Sequence, residues 1–204
     1  HYHEVLHFLY RLLCHIFGTL KEEHEEDFPW LSEKLKFAPL EYPREPVIFT
    51  YLEALEKLKG EGIDLEPTED LSGAVERTLG EIVKKETGSD LFILDKYPST
   101  VRPFYTMPDA EDARFTNSYD IFLRGQEISS GAQRVHVFSL LEKQIQEAGL
   151  DPATFKGYLD SFKFGSYPHG GSGFGLERIV QFYLGLDNIR RTSLFPRDPK
   201  RLEP

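Results

Sequence analysis

Between Gly170 and Val180 the chain reads GGSGFGLERIV, glycines crowded against an acid–base pair at the opening of an apolar helical pattern. Glycine has no Cβ, so a flat or anionic ligand can lie close against such a backbone. Arg178 adds a planar cation with five donors, suited to stacking or to gripping phosphate. A glycine-rich turn feeding a buried helix produces the same letters. A second constellation lies upstream, where Asp120 and Glu127 flank Arg124-Gly125. If those two residues form the loop of a hairpin, Phe122 faces Glu127, Asp120 faces Ser129, and alternation puts both carboxylates on one sheet face. Two acids so close repel each other unless a hard divalent cation bridges them to phosphate, the usual setting of Mg²⁺. Solvated acids on an exposed face fit the same spacing. Ser130-Gly131-Ala132-Gln133-Arg134 then reads as the end of the strand and the start of a helix running to Ala148 and closed by Gly149. An arginine in a first helical turn opposes the macrodipole, so Arg134 needs a reason, either an anionic partner or apolar neighbours for its stem.

The elements that must carry these residues form an α+β pattern. His3 to Leu20 has helical apolar spacing at Val5, Leu6, Phe8, Leu9, Leu12, Leu13, Ile16 and Phe17, predicting one broad buried face with an end near Gly18. Residues 21 to 46 are acidic and then proline-punctuated, and read as irregular connection. Thr50 to Glu53 is a capping box that launches a helix closed by Gly60 and Gly62. Another helix is predicted from Ser72 to Glu86, ending at Gly88. Leu91 to Leu94, Phe104 to Met107, Tyr119 to Leu123 and Gln126 to Ser129 read as strands.

Composition bounds the classes available. The chain has 204 residues, 40% hydrophobic, enough for one domain with a sizeable core. Its apolar runs are short and interrupted, so no membrane span or signal peptide is read. Cys14 is the single cysteine, which excludes an internal disulfide and suits a reducing compartment. A net charge of −10 argues against a general nucleic-acid binder, although the last fifteen residues carry Arg190, Arg191, Arg197, Lys200 and Arg201 against Asp198 and Glu203. His1 and His3 have metal-ligand spacing but no convergent acids, so zinc is not supported. No nucleophile elbow is present, and Cys14 sits in an apolar helix, which argues against covalent catalysis.

The glycine run followed by NIRRTSLFPRDPKRL from Asn188 to Leu202 resembles motif 3 and the C-terminus of class II aminoacyl-tRNA synthetases, in particular the aspartyl type of eukaryotes and archaea. Asn117 to Arg134, NSYDIFLRGQEISSGAQR, is similar to that family's aspartate and ATP segment. His1 to Val5 resembles the helix just after motif 2. The resemblance spans the whole chain and is weakest between about residues 21 and 90, which read as a variable, insertion-like stretch. One mild departure is Ser172-Gly173-Phe174, where family members often carry glycine and then isoleucine.

The resemblance implies the C-terminal portion of a catalytic domain, an antiparallel β-sheet flanked by helices, with motif 3 over residues 169–182. The anticodon-binding domain, motif 1 and motif 2 would all precede His1, so a fragment inactive alone is expected. The implied reaction is ATP-dependent activation of L-aspartate and its transfer to tRNA(Asp), in a cytoplasmic homodimer. Glu127 would hold Mg²⁺ and the α-phosphate with Asp120 as its partner. Gly175, Leu176, Glu177 and Arg178 would line ATP, with Arg178 and Glu127 the catalytic groups. Ser130 and Arg134 would contact the amino acid, the arginine forking onto the aspartate side chain. His169 would position the glycine loop. The basic tail is either a surface for the tRNA acceptor end or a solvated segment. Asparaginyl-tRNA synthetase and a non-catalytic synthetase-like interaction module are the alternatives.

Overall fold

In the computed structural model, which describes residues 1–203, five strands make one sheet in the order β1-β2-β3-β4-β5. The chain runs through α1 (Tyr2–Glu23), α2 (Phe28–Leu35), β1 (Val47–Thr50), α3 (Tyr51–Gly60), α4 (Gly73–Thr87) and β2 (Leu91–Asp95). It continues through β3 (Ser118–Leu123), β4 (Gln126–Arg134), α5 (Phe138–Glu147), α6 (Lys156–Asp160), β5 (His169–Phe174) and α7 (Leu176–Tyr183). Neighbouring strands are antiparallel except β1 and β2, which are parallel, so the sheet is mixed rather than wholly antiparallel. The crossover that a parallel pair needs is supplied by α3 and α4.

Local signals set several boundaries. Thr50 Oγ1 accepts from the Glu53 backbone N–H at 3.3 Å, and Glu53 Oε2 accepts from the Thr50 N–H at 2.7 Å, closing the expected capping box at the start of α3. Ser72 caps α4, and Gly88, at φ 73°, ends it in the left-handed conformation glycine allows. Gly18 does not end α1, which continues to Glu23. A mid-helix glycine costs about 1 kcal/mol, whereas each buried large apolar side chain returns about 1.5–3 kcal/mol, and Phe17 and Tyr10 are both fully packed. The expected broad apolar face of α1 is divided: Leu6, Leu9, Tyr10, Leu13 and Phe17 are buried, while Phe8, Leu12 and Ile16 are exposed. Two further expectations fail. The acidic connection contains a helix, α2, with proline in its first turn, and Phe104 to Met107 is no strand, contributing one isolated bridge between Thr106 and Arg134.

Each sheet face has its own core. On the first, α1 packs Tyr2, Leu6, Tyr10 and Leu13 against Leu91, Ile93, Tyr119, Ile121 and Ile128. On the second, α3 and α4 pack Tyr51, Leu58, Leu79 and Val83 against Phe92, Leu94 and Phe122, the Phe92 and Phe122 rings stacking at 5.0 Å. This second core stops at Phe122, and no side chain of β4 or β5 joins it. The second face of those two strands is where the functional candidates gather.

Candidate active site

Arg124 and Gly125 form the turn of the β3–β4 hairpin, both with positive φ, at 53° and 70°, the backbone that a two-residue turn between right-twisted strands requires. Next to the turn Phe122 faces Glu127, as expected. The ladder then slips between Ile121 and Phe122, so that Ile121 pairs with Ser129 and Asp120 with Ser130 rather than Ser129. β4 also does not break at Ser130 but continues as strand to Arg134, three residues before α5, so Arg134 lies at a strand end and not in a helical turn. The bulge has a large consequence. In a regular strand Ser130 and Arg134 lie at odd spacings from Glu127 and would point to the opposite face. One extra residue reverses their sense and places Asp120, Glu127, Ser130 and Arg134 on the same, second face.

Arg102 occupies the centre of that face. Its Nη2 donates to Asp120 Oδ2 at 2.7 Å and its Nη1 to Ser130 Oγ at 3.1 Å, while the guanidinium lies 3.8 Å over the Tyr97 ring. Asp120 is 4% exposed, and its other oxygen, Oδ1, is buried without a protein partner. Glu127 lies further along, with Arg178 Nη1 3.9 Å from its Oε1. Burial and then the charge of Asp120 push the Glu127 carboxyl up from its ordinary range, and Arg178 and Arg102 oppose that rise. Glu76, from the first turn of α4, joins the same field and is pushed up to about 7, by burial first and then by Glu127. Asp70 adds a further negative charge. Four carboxylates against two guanidiniums, one acid oxygen orphaned, leave a local excess of negative charge that a hard cation would balance. Among the described residues no group of three or more His, Cys, Asp or Glu is arranged to enclose a metal. The donor set therefore suits Mg²⁺ held by one or two carboxylates together with ligand oxygens, and not an all-protein cage.

The glycine run is not a loop but β5, an edge strand antiparallel to β4. Gly173 pairs with Ser130 and Gly171 with Ala132, and a Cβ added at either glycine would meet nothing within 4 Å. Beside Ser130 the second face is therefore bare backbone, a flat open floor. Ser172, on the other side of the strand, donates to the Ser130 carbonyl at 2.8 Å and meets Ser129 Oγ at 2.5 Å, fastening β5 to the bulged segment. The Gly175 N–H donates to the Ile128 carbonyl at 2.9 Å, and the Arg178 stem runs along Gly175. Leu176 and Glu177 are exposed at the start of α7. Arg134 closes the opposite end. It is exposed, has Tyr105 beneath it at 5.8 Å, lies near Tyr158, and has no acidic partner among the described residues. His169 faces Arg134 across the β4–β5 ladder. Its Nδ1 lies 3.0 Å from the Tyr167 carbonyl and its ring stacks on Phe162, so it shapes the entry to β5.

Asp120, Glu127, Ser130 and Arg134 thus share one sheet face, with Arg178 beside Glu127 and with Leu176 and Glu177 exposed at the start of α7, and the structure adds Arg102 and Glu76. Neither carried a sequence signal: Arg102 falls in a proline-rich connection, and Glu76 reads as an acid complementing the α4 dipole. His1 and His3 do not converge on a metal, since His3 Nε2 is paired with the buried Asp95 at 2.6 Å. Burial pushes the Cys14 thiol up, which makes it a poor nucleophile. The groove holds fixed charges and bare backbone, the equipment for binding and stabilising charge.

Known proteins resemble this chain in sequence and fold. Residues 1–199 match the model of the family described as tRNA synthetases class II (D, K and N). The cytoplasmic aspartate–tRNA ligase of Caenorhabditis elegans is 45% identical over 204 residues, all of this chain and 38% of that relative. An aspartyl-tRNA synthetase structure from Entamoeba histolytica superposes with a TM-score of 0.97 at 46% identity, covering 100% of this chain and 42% of that one. An asparaginyl-tRNA synthetase from Pyrococcus horikoshii, complexed with asparaginyl-adenylate, is more distant, with a TM-score of 0.71 at 38% identity over 78% of this chain and 36% of its own. The chain spans 38% to 41% of the length of the cytoplasmic aspartate–tRNA ligases of worm, mouse and human. With the sheet, the bulged hairpin and the glycine edge strand all present, and matched from the first residue to residue 199, the chain belongs to the class II tRNA synthetases of the D, K and N group.

Proposed function

We propose that the full-length protein containing these residues activates L-aspartate with ATP and transfers the aspartyl group to tRNA(Asp). The observation that carries this reading is the order of features along one face: an acidic end with Arg178, a bare glycine floor beside Ser130, and an arginine without an acidic partner at the far end. An aminoacyl-adenylate has the same sequence of parts. Arg178 and Glu127 take the phosphate end, with Gly175, Leu176 and Glu177 alongside the nucleotide. Glu127, with Asp120 behind it, is where Mg²⁺ would be held, and when bound it neutralises phosphate charge. Ser130 and Arg134 take the amino acid, the guanidinium forking onto its side-chain carboxylate.

In the first half-reaction the aspartate α-carboxylate oxygen attacks the α-phosphorus of ATP and pyrophosphate leaves. In the second a ribose hydroxyl of the tRNA terminus attacks the acyl carbon and AMP leaves. Neither step needs a covalent bond to protein, so the groove contributes positioning and charge stabilisation. The relatives named cytoplasmic support a cytoplasmic enzyme, and the resemblance supports a homodimer. The basic segment from Arg190 to Arg201 is the surface we assign to the tRNA acceptor end.

Aspartate is favoured over asparagine because Arg134 meets a carboxylate with two matched hydrogen bonds, whereas an amide turns its NH₂ toward guanidinium donors. The test is ATP–pyrophosphate exchange by the full-length protein with each amino acid in turn. Exchange with aspartate and little with asparagine is expected. Preference for asparagine, or no exchange with either, contradicts the proposal.

A further inference from the structure

We infer that Arg102, which lies outside every motif of the chain, is a positioning residue that fixes the hydrogen-bonding sense of Asp120 and Ser130 toward the substrate groove; this rests on the function proposed above. Three contacts carry the inference. The guanidinium donates to Asp120 Oδ2 at 2.7 Å, donates to Ser130 Oγ at 3.1 Å, and stacks at 3.8 Å on the Tyr97 ring. Asp120 and Ser130 face each other across the β3–β4 ladder, so the fork spans two strands just past the slip in register between Ile121 and Phe122.

The effect is to decide which atoms remain free. A serine hydroxyl can donate or accept. With its oxygen accepting from Arg102, the Ser130 hydrogen is turned away from the guanidinium and becomes a donor to the groove. Asp120 gives one oxygen to Arg102, and Oδ1 is left without a partner. Ser130 thereby presents one fixed donor to the groove, with Asp120 Oδ1 a buried acceptor behind it. A buried guanidinium is costly to desolvate, and a bridge serving packing alone could be replaced by an apolar side chain. The fork suits two acceptors held at set positions.

The experiment uses the full-length protein and its Arg102→Ala, Arg102→Lys, Ser130→Ala and Arg102→Ala/Ser130→Ala variants. Each is assayed for aspartate-dependent ATP–pyrophosphate exchange, with thermal unfolding recorded in parallel. Arg102→Ala is expected to lower kcat by ~10²–10³, the usual loss for one preorganised electrostatic contact, while KM for ATP changes by less than ~3-fold. The double variant should be about as impaired as the more impaired single variant, since residues acting through one another are not additive. Arg102→Lys should recover only part, because an ammonium keeps the charge without the fork, and added guanidinium ion should restore activity to Arg102→Ala. Full multiplicativity of the double variant, wild-type kcat in Arg102→Lys, or exchange by Arg102→Ala within ~3-fold of wild type overturns the inference. If Arg102→Ala does not fold, Arg102→Lys decides by the same kcat criterion. Absence of exchange by the wild-type protein would instead overturn the proposed function, and this inference with it.

Discussion

Glu76 shows how a residue without any sequence signal can set the pH response of the site. Its carboxyl is pushed up from 4.5 to about 7, by burial first and by Glu127 next, with Arg178 opposing and Asp120 and Asp70 adding. A carboxyl raised in the folded state keeps its proton where the unfolded chain has already lost it. Unfolding then releases a proton, so stability falls as pH rises from about 4.5 to about 7, and the penalty is fully present above that window. Glu76→Gln removes the penalty. It should therefore raise the unfolding free energy at pH 8 by of order 1 kcal/mol after allowing for solvent screening, and give no gain at pH 5. Equal gains at both pH values would show that burial of charge at Glu76 is not the cause.

The element that matters most is the β3–β4 hairpin pressed between α4 and β5. A Cβ at Gly80 would lie 2.3 Å from the Gly125 Cα, so the helix and the turn meet backbone to backbone. Gly80→Ala must push α4 off the hairpin, and a loss of about 1–3 kcal/mol is expected in denaturant unfolding. Gly173→Ala is the opposite case, because its Cβ enters open space. Stability should stay within about 0.5 kcal/mol, while the methyl group rises from the floor of the groove and KM for ATP of the full-length protein increases roughly tenfold, about 1.4 kcal/mol. A Gly173→Ala protein with unchanged KM would remove the glycine floor from the nucleotide site. These contrasts also explain what could be read from sequence. Asp120, Glu127, Ser130, Arg134 and Arg178 stand out as candidates because their neighbours form recognisable strings, and the capping box at Thr50 and the turn at Arg124-Gly125 are legible because they are local. The bulge is not legible, since an added residue leaves no mark in the alternation of a strand as mixed as QEISSGAQR, and the continuation of β4 through Gly131 depends on pairing with β3 and β5. Arg102 and Glu76 reach the site only through tertiary packing. Gly18 lies inside α1 because apolar burial outweighs a mid-helix glycine, and α2 forms within the proline-punctuated stretch because proline is tolerated in a first helical turn.

At the scale of the whole molecule, the described residues bury three apolar clusters and leave an ordered apolar stripe in solvent. Phe8, Leu12, Ile16 and Leu20 recur every fourth residue along α1, Phe8 at 59% exposure. Contiguous apolar surface of this kind promotes association. The 204-residue chain by itself is expected to self-associate in light scattering, and a Phe8→Gln/Ile16→Gln pair to reduce that association; a stable monomer at high concentration would contradict this. The central claim concerns the second face of the sheet, where the register slip brings phosphate-facing and carboxylate-facing groups into line. The most direct measurement is calorimetric titration of the full-length protein and its Arg134→Ala variant with non-hydrolysable aspartyl- and asparaginyl-adenylate analogues. The account predicts tighter binding of the aspartyl analogue, a loss of about 2–5 kcal/mol for it in Arg134→Ala, as for one partner removed from a charge pair, and little change for the asparaginyl analogue. Equal affinities in the wild type, or aspartyl affinity unchanged by Arg134→Ala, would contradict it.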